Sequence, residues 1–179
     1  LKLIKETNQT VSEIKVSDPP LRIQSFPELK HWTDLAFIAY SDAVQGDRPD
    51  GGSTGGYLMS LGRLDPFLAG EWTDMSITGW STNKLRRVAR SSLSAEIQQA
   101  CNADDEVFVA RLLWAEINGL RVTRNNVSAV VSTVPAVEVW DTKGVLDAVH
   151  DSNSTALGLT EKRSGIELQG LRDSLEELR

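Results

Sequence analysis

Cysteine is almost absent. Cys101 stands alone in 179 residues, which excludes an internal disulfide framework. In its helical setting it reads as a small core residue. Histidine is scarce too: two histidines and one cysteine cannot furnish a structural zinc site of the usual kind. Neither His31 nor His150 has a Ser or Cys partner arrangement legible in the sequence. No apolar run approaches the roughly 18 residues of a membrane span. The glycine-rich stretch Gly51-Gly52-Ser53-Thr54-Gly55-Gly56 lacks the Gly-Lys-Ser/Thr ending of a phosphate loop, so it is expected to be a hairpin connection.

What remains is an ordinary globular composition, 40% hydrophobic and 25% charged. The net charge of −6 argues against a dedicated nucleic-acid-binding module, which is usually basic. Its distribution says more than its sum. From Ile77 to Ala95 there is no acidic residue, and within that stretch Lys84, Arg86, Arg87 and Arg90 put four positive charges into seven residues. They lie just before a helix start, an end that is already electropositive. A nearby anion such as a phosphate backbone would relieve the repulsion. The competing reading is a solvated basic loop. Trp80, beside this run, is either a core residue or a platform on which a base or sugar stacks.

Pro19-Pro20 and Pro27 interrupt any regular pattern in residues 1–34, which are expected to be a connection or linker segment. Leu35-Ala36-Phe37-Ile38-Ala39-Tyr40 is a nearly continuous apolar run, as in a strand buried on both faces. A loop over residues 45–56, a second strand from Tyr57 to Leu61 and a third from Trp72 to Trp80 suggest an antiparallel meander. Ser91 and Ser92 are candidate N-caps for a long helix with Leu93, Ile97, Ala100, Cys101, Phe108, Leu112 and Ala115 on its apolar positions, and Gly119 is its natural stop. Val137-Glu138-Val139-Trp140 reads as a strand, followed by a short helix carrying Val145, Leu146 and Val149 that Ser152-Asn153-Ser154 break. From Thr160 to Arg179, Leu168, Leu171, Leu175 and Leu178 recur at helical spacing. Gly165 and Gly170 weaken that helix by about 1 kcal/mol each relative to alanine. The order β-β-β-α-β-α-α implies an α/β fold with a mixed sheet. Its fourth strand runs parallel to the first, because the connection passes through a helix.

On this outline Asp42 ends the first strand, Asp141 ends the fourth, and Glu96 lies in the first turn of the long helix. If the two strands are neighbours, the three carboxylates meet at the sheet edge where α/β proteins place their sites. Alone they would repel one another. Mg²⁺ or Mn²⁺, which prefer carboxylate and water oxygens, would remove the conflict. Each acid also has a local explanation: a turn residue for Asp42, a helix cap for Asp141, a favourable dipole position for Glu96.

Several motifs resemble a known family. Asp42-Ala43 after an apolar strand, followed by Ser53-Thr54-Gly55-Gly56-Tyr57-Leu58, is similar to the opening hairpin of the RNase H region of copia-type LTR retrotransposon polyproteins. Trp80-Ser81-Thr82-Asn83-Lys84 and Val88-Ala89-Arg90-Ser91-Ser92-Leu93-Ser94-Ala95-Glu96 resemble its Trp-Ser-Ser-Lys-Lys and Ser-Ser-x-Glu-Ala-Glu signature, with Ser94 in place of the first Glu. Trp140-Asp141-Thr142-Lys143 resembles its strand-to-helix step, and Lys162-Arg163-Ser164-Gly165-Ile166-Glu167 its Lys-His-Ile-Asp segment with the His replaced and the acid displaced.

Over residues 35–179 the resemblance implies an RNase H-like domain that stops before the family's last strand and fourth carboxylate. It implies Mg²⁺- or Mn²⁺-dependent cleavage of RNA in RNA–DNA hybrids during reverse transcription. Asp42, Glu96 and Asp141 would be the catalytic, metal-binding residues, and Lys84, Arg86, Arg87 and Arg90 would contact nucleic acid. The implied partners are the hybrid and the adjoining polymerase part of the same polyprotein, with no membrane, in the cytoplasm or nucleus. The alternative is an inactive remnant that serves as a binding or spacer module. As cut, the chain is expected to be a weak nuclease, with a tail helix whose apolar face is short of partners.

Overall fold

The computed structural model describes residues 23–150 and 162–177. The expectations placed on residues 1–22, on Ser152-Asn153-Ser154 and on Leu178 lie outside them. A 3₁₀ turn at Trp32–Asp34 leads into β1 (Leu35–Val44), β2 (Thr54–Arg63), α1 (Leu64–Leu68), β3 (Met75–Lys84), α2 (Ser92–Ile117), α3 (Val127–Val131), β4 (Ala136–Trp140), α4 (Lys143–His150) and α5 (Lys162–Glu177). The sheet order is β3-β2-β1-β4. The first three strands form the expected antiparallel meander, and β4 pairs parallel to β1. This is the mixed sheet, with its fourth strand parallel to the first, that the order of elements implies.

Three local differences have physical reasons. The short helices α1 and α3 have no apolar period to announce them. Pro66 in the first turn of α1 and the Asn126 carboxamide, which accepts from the Thr123 N–H at 2.6 Å, are their only sequence signals. The third strand begins at Met75 rather than Trp72, because the chain first turns through Gly70 at φ 71°. Phe108 is on the exposed side of α2, and Val107 takes the core position instead.

Alternation along β1 sorts the sheet's two faces. Leu35, Phe37 and Ala39 pack with Met59, Leu61, Val107, Ala115 and Val134 on the helical side, joined by Phe26, Leu29 and Trp32 of the expected connection segment. On the other face Tyr40, Asp42 and Val44 are exposed, and Leu58 and Trp80 stand in register with Tyr40. Trp80 is 65% exposed, so its position is a surface one and not a core one.

The long helix is capped as expected: the Ser91 hydroxyl accepts from the Ser94 N–H at 3.1 Å. Its first half is buried nearly all round, because the sheet lies on one side and α4 and α5 on the other. The apolar face of α5 does find partners. Leu168 and Leu171 are buried against Ile97, Ala100, Val145 and Ala148. Gly55 lets α2 approach β2 closely, since a Cβ there would collide with the Gln99 carboxamide and Leu85.

Candidate metal centre and basic loop

The site begins with strand register. Ser41 of β1 lies opposite Trp140 of β4 in a parallel pair, so the next residues on the two strands are Asp42 and Asp141. Both are exposed. The cap at Ser91 starts α2 so that Glu96 falls in its second turn, over the same edge. Each of Asp42, Glu96 and Asp141 offers a carboxylate oxygen, and the three oxygens lie within 4.8 Å of one another. The structure thus brings together all three acids singled out in the sequence.

The electrostatics are those of carboxylates crowded together. Burial, then the neighbouring Asp42 and Asp141 carboxylates, push the Glu96 carboxyl up to about 7. The Ala43 backbone N–H and the Thr142 hydroxyl oppose this by hydrogen bonding. Thr142 also lies 3.0 Å from Asp141 Oδ1. The donor set consists of oxygens, and the group is open to water, as a hard divalent ion requires. Next to the acids, the open sheet face forms a trough of about 560 Å³ lined by Tyr40, Asp42, Leu58, Thr82, Val139 and Asp141 among others.

The basic loop is held by its apolar residues. Leu85 and Ala89 are buried with Ala43 and Ala95. The Leu85 N–H donates to Ser53 O at 2.8 Å, and the Gln45 amide to Ala89 O at 3.3 Å. The intervening side chains therefore face outward, and the four cations diverge in role. Arg86 and Arg90 are exposed and have no ion-pair partner among the described residues. Lys84 is ion-paired with Asp50 across the hairpin, and both are well exposed. Arg87 is ion-paired with Glu167 of α5, whose side chain is only 13% exposed. Glu167, the displaced acid of the tail motif, belongs to this pair and not to the carboxylate cluster.

Behind the site lies a second polar group that the sequence did not single out. Glu138, in the middle of β4, has both carboxylate oxygens buried without a hydrogen bond of ordinary geometry. Burial, then the Asp104 carboxylate, push it up to about 9. Asp104 is raised as well, chiefly by burial, although it accepts from the Ser174 hydroxyl at 3.0 Å. A neutral Glu138 is the form these surroundings favour. Arg111, 3% exposed, donates to Val134 O at 2.6 Å and Val131 O at 2.7 Å, fastening the loop that delivers β4. Burial lowers it to about 10. Cys101 is held in its thiol form, since burial pushes it up to about 12.

No family model matches the sequence. Over 97 residues the chain is 36% identical to the retrovirus-related Pol polyprotein from transposon RE1 of Arabidopsis thaliana, a match covering 54% of this chain and 6% of that protein. Among solved structures, the foamy viral protease-reverse transcriptase in complex with RNA/DNA hybrid is similar at a TM-score of 0.47 and 12% identity, covering 89% of this chain and 18% of that one. The native prototype foamy virus protease-reverse transcriptase gives a TM-score of 0.27 at 12% identity, covering 84% and 23%. No helix among the described residues is long and apolar enough to cross a membrane.

Proposed function

We propose, from its sequence relationship to a retrotransposon Pol polyprotein, that this chain is the RNase H-like part of such a protein, of the copia type, and cleaves the RNA strand of RNA–DNA hybrids with the help of Mg²⁺ or Mn²⁺. The observation that carries the reading is the convergence of Asp42, Glu96 and Asp141 within 4.8 Å. Like charges that close are unfavourable unless one carboxylate takes up a proton or a cation is shared among them, and a shared divalent ion relieves all three at once. Ions held there would stabilise charge on a phosphodiester and lower the pKa of an attacking water.

The chain's own residues supply the rest. Asp42 and Asp141 offer oxygens from a rigid sheet edge, and Glu96 closes the set from above. Thr142 orients Asp141, and the Ala43 N–H orients Glu96. Arg86 and Arg90 lie free on the loop leading into α2, where they can neutralise phosphates of a bound strand without reading its sequence. Acids at the cut and cations beside it reconcile a net charge of −6 with a nucleic-acid substrate. The adjoining polymerase part of the polyprotein would be the partner that presents the hybrid.

The test is a hybrid-cleavage assay with labelled RNA, run with Mg²⁺, with Mn²⁺ and with chelator, on the parent chain and on Asp42→Asn. Metal-dependent cleavage by the parent that Asp42→Asn abolishes is the expected result. Hybrid binding without cleavage would identify the second reading, a catalytically inactive binding module. Neither binding nor cleavage would overturn both.

A further inference from the structure

The N-terminal half of α5 packs on α2 near the proposed metal centre, through polar contacts as well as apolar packing. The Ser164 hydroxyl lies 2.8 Å from the Ser94 hydroxyl, two residues before Glu96, and both serines are buried. Glu167 pairs with Arg87 of the basic loop. The carbonyl of the same Glu167 accepts from the Cys101 thiol at 3.4 Å. Leu168 and Leu171 fill the space against Ile97 and Ala100. The Arg87 backbone N–H in turn donates to the Gln98 carboxamide at 3.2 Å. Residues from 87 to 101, which bracket Glu96, are thus tied to one short stretch of a helix more than 60 positions away.

The partners in these contacts are unequal in a telling way. Arg87 is 43% exposed, whereas Glu167 is 13% exposed. A mostly buried carboxylate left without its cation costs far more than a surface arginine left without its anion. Arg87 is therefore committed to Glu167, and a phosphate cannot take it without stranding a buried charge. The Ser94–Ser164 contact lies between two buried side chains, so removing the Ser164 hydroxyl takes away a bond that water does not readily replace.

We infer that Ser164 and Glu167 are positioning residues for the carboxylate cluster. They hold the first turns of α2, and with them Glu96, at the edge where Asp42 and Asp141 stand. Arg87 belongs to this latch and not to the nucleic-acid contact surface. The inference rests on the metal-site reading proposed above. Carboxylates that share an ion need placement to within a few tenths of an ångström, so a loosened α2 start weakens binding before it unfolds the domain.

The experiment measures Mn²⁺ binding by titration calorimetry at 25 °C on the folded parent chain, Ser164→Ala, Glu167→Gln and the charge-swapped double variant R87E/E167R. Amide hydrogen exchange is followed at residues 95–97 and, as a remote control, at residues 107–115. The expected result is an Mn²⁺ dissociation constant raised about threefold or more in each single variant. It should return to within about twofold of the parent in the double variant, with faster exchange confined to residues 95–97. Unchanged Mn²⁺ affinity in Glu167→Gln and Ser164→Ala would overturn the positioning role, even if their melting temperatures fall, because α5 would then be only structural. Exchange that speeds up equally at residues 107–115 would overturn it as well. A parent chain that binds no Mn²⁺ would overturn the metal-site reading itself, an outcome separate from the other two.

Discussion

Asp42 and Asp141 occupy matching positions on neighbouring parallel strands, one step beyond the Ser41–Trp140 pair that ends the ladder. A one-residue slip in β4 would turn Asp141 to the other face of the sheet and dissolve the cluster. The site therefore depends on the register of β4 as much as on the acids themselves.

Replacing Asp141 with Asn should separate binding from stability. Mn²⁺ affinity is expected to fall by at least about tenfold, since loss of even an outer-shell partner typically has effects of that order. The metal-free melting temperature should hold or rise, because a repulsion with Glu96 is removed. Calorimetry and thermal denaturation on the same samples check this. A marked loss of metal-free stability would mean that Asp141 acts as a helix cap for α4 instead.

Arg111 should matter for the site from a distance. Its guanidinium fastens Val131 and Val134, the residues just before β4. Arg111→Met would take from the buried Val134 carbonyl its guanidinium donor, at about 1–3 kcal/mol, while Val131 O keeps the Val134 N–H at 3.0 Å. The expected outcome is a loss of about 1–3 kcal/mol in urea-unfolding stability, with β4 losing amide protection first. A variant as stable as the parent would show that water replaces the guanidinium.

Glu138 sets a pH dependence whose sign is fixed. Its folded-state value of about 9 lies above the ordinary 4.5, so between those limits folding takes up a proton. Stability should thus fall as pH rises through this window, by at most about 1.4 kcal/mol per pH unit from this one group. Glu138→Gln should flatten that fall and make the protein more stable than the parent at pH 8–9, as read from urea midpoints. Parallel curves for the two proteins would mean that Glu138 is ionised when folded.

Among the basic residues, Arg86 and Arg90 should be separable from Arg87. Replacing both Arg86 and Arg90 with Ala should weaken hybrid binding and reduce its salt slope by about one to two units. Arg87→Ala should lower the melting temperature while leaving the slope nearly unchanged, because its charge is spent on Glu167. Binding titrations across a range of salt concentrations decide. Equal slopes for the double variant and the parent would leave Arg86 and Arg90 as solvated charge.

Local chemistry made part of this molecule legible in its sequence. The apolar run at residues 35–40 suited a buried strand, although periodicity alone did not distinguish it from a helix, the Ser91 cap set where the long helix begins, and passage through that helix favoured a parallel return. Asp42, Glu96 and Asp141 could be placed together on that outline, although β1 runs on past Asp42 to Val44 and Glu96 falls in the second turn of α2 and not the first. Other features were decided only by tertiary structure. The four cations look alike in sequence, yet Arg87 meets Glu167 eighty positions away while Arg86 and Arg90 point to solvent. Nothing in the strand Val137-Glu138-Val139-Trp140 marks Glu138 as a buried acid, but α2 lays Asp104 beside it and the surrounding chain removes its water. Phe108, expected on the apolar face, is exposed and Val107 is buried, because α2 is enclosed on two sides and its apolar positions follow no single stripe. Periodicity and capping are properties of neighbours in the chain. The partner of a charge, and whether water reaches it, depend on which distant elements are folded against it.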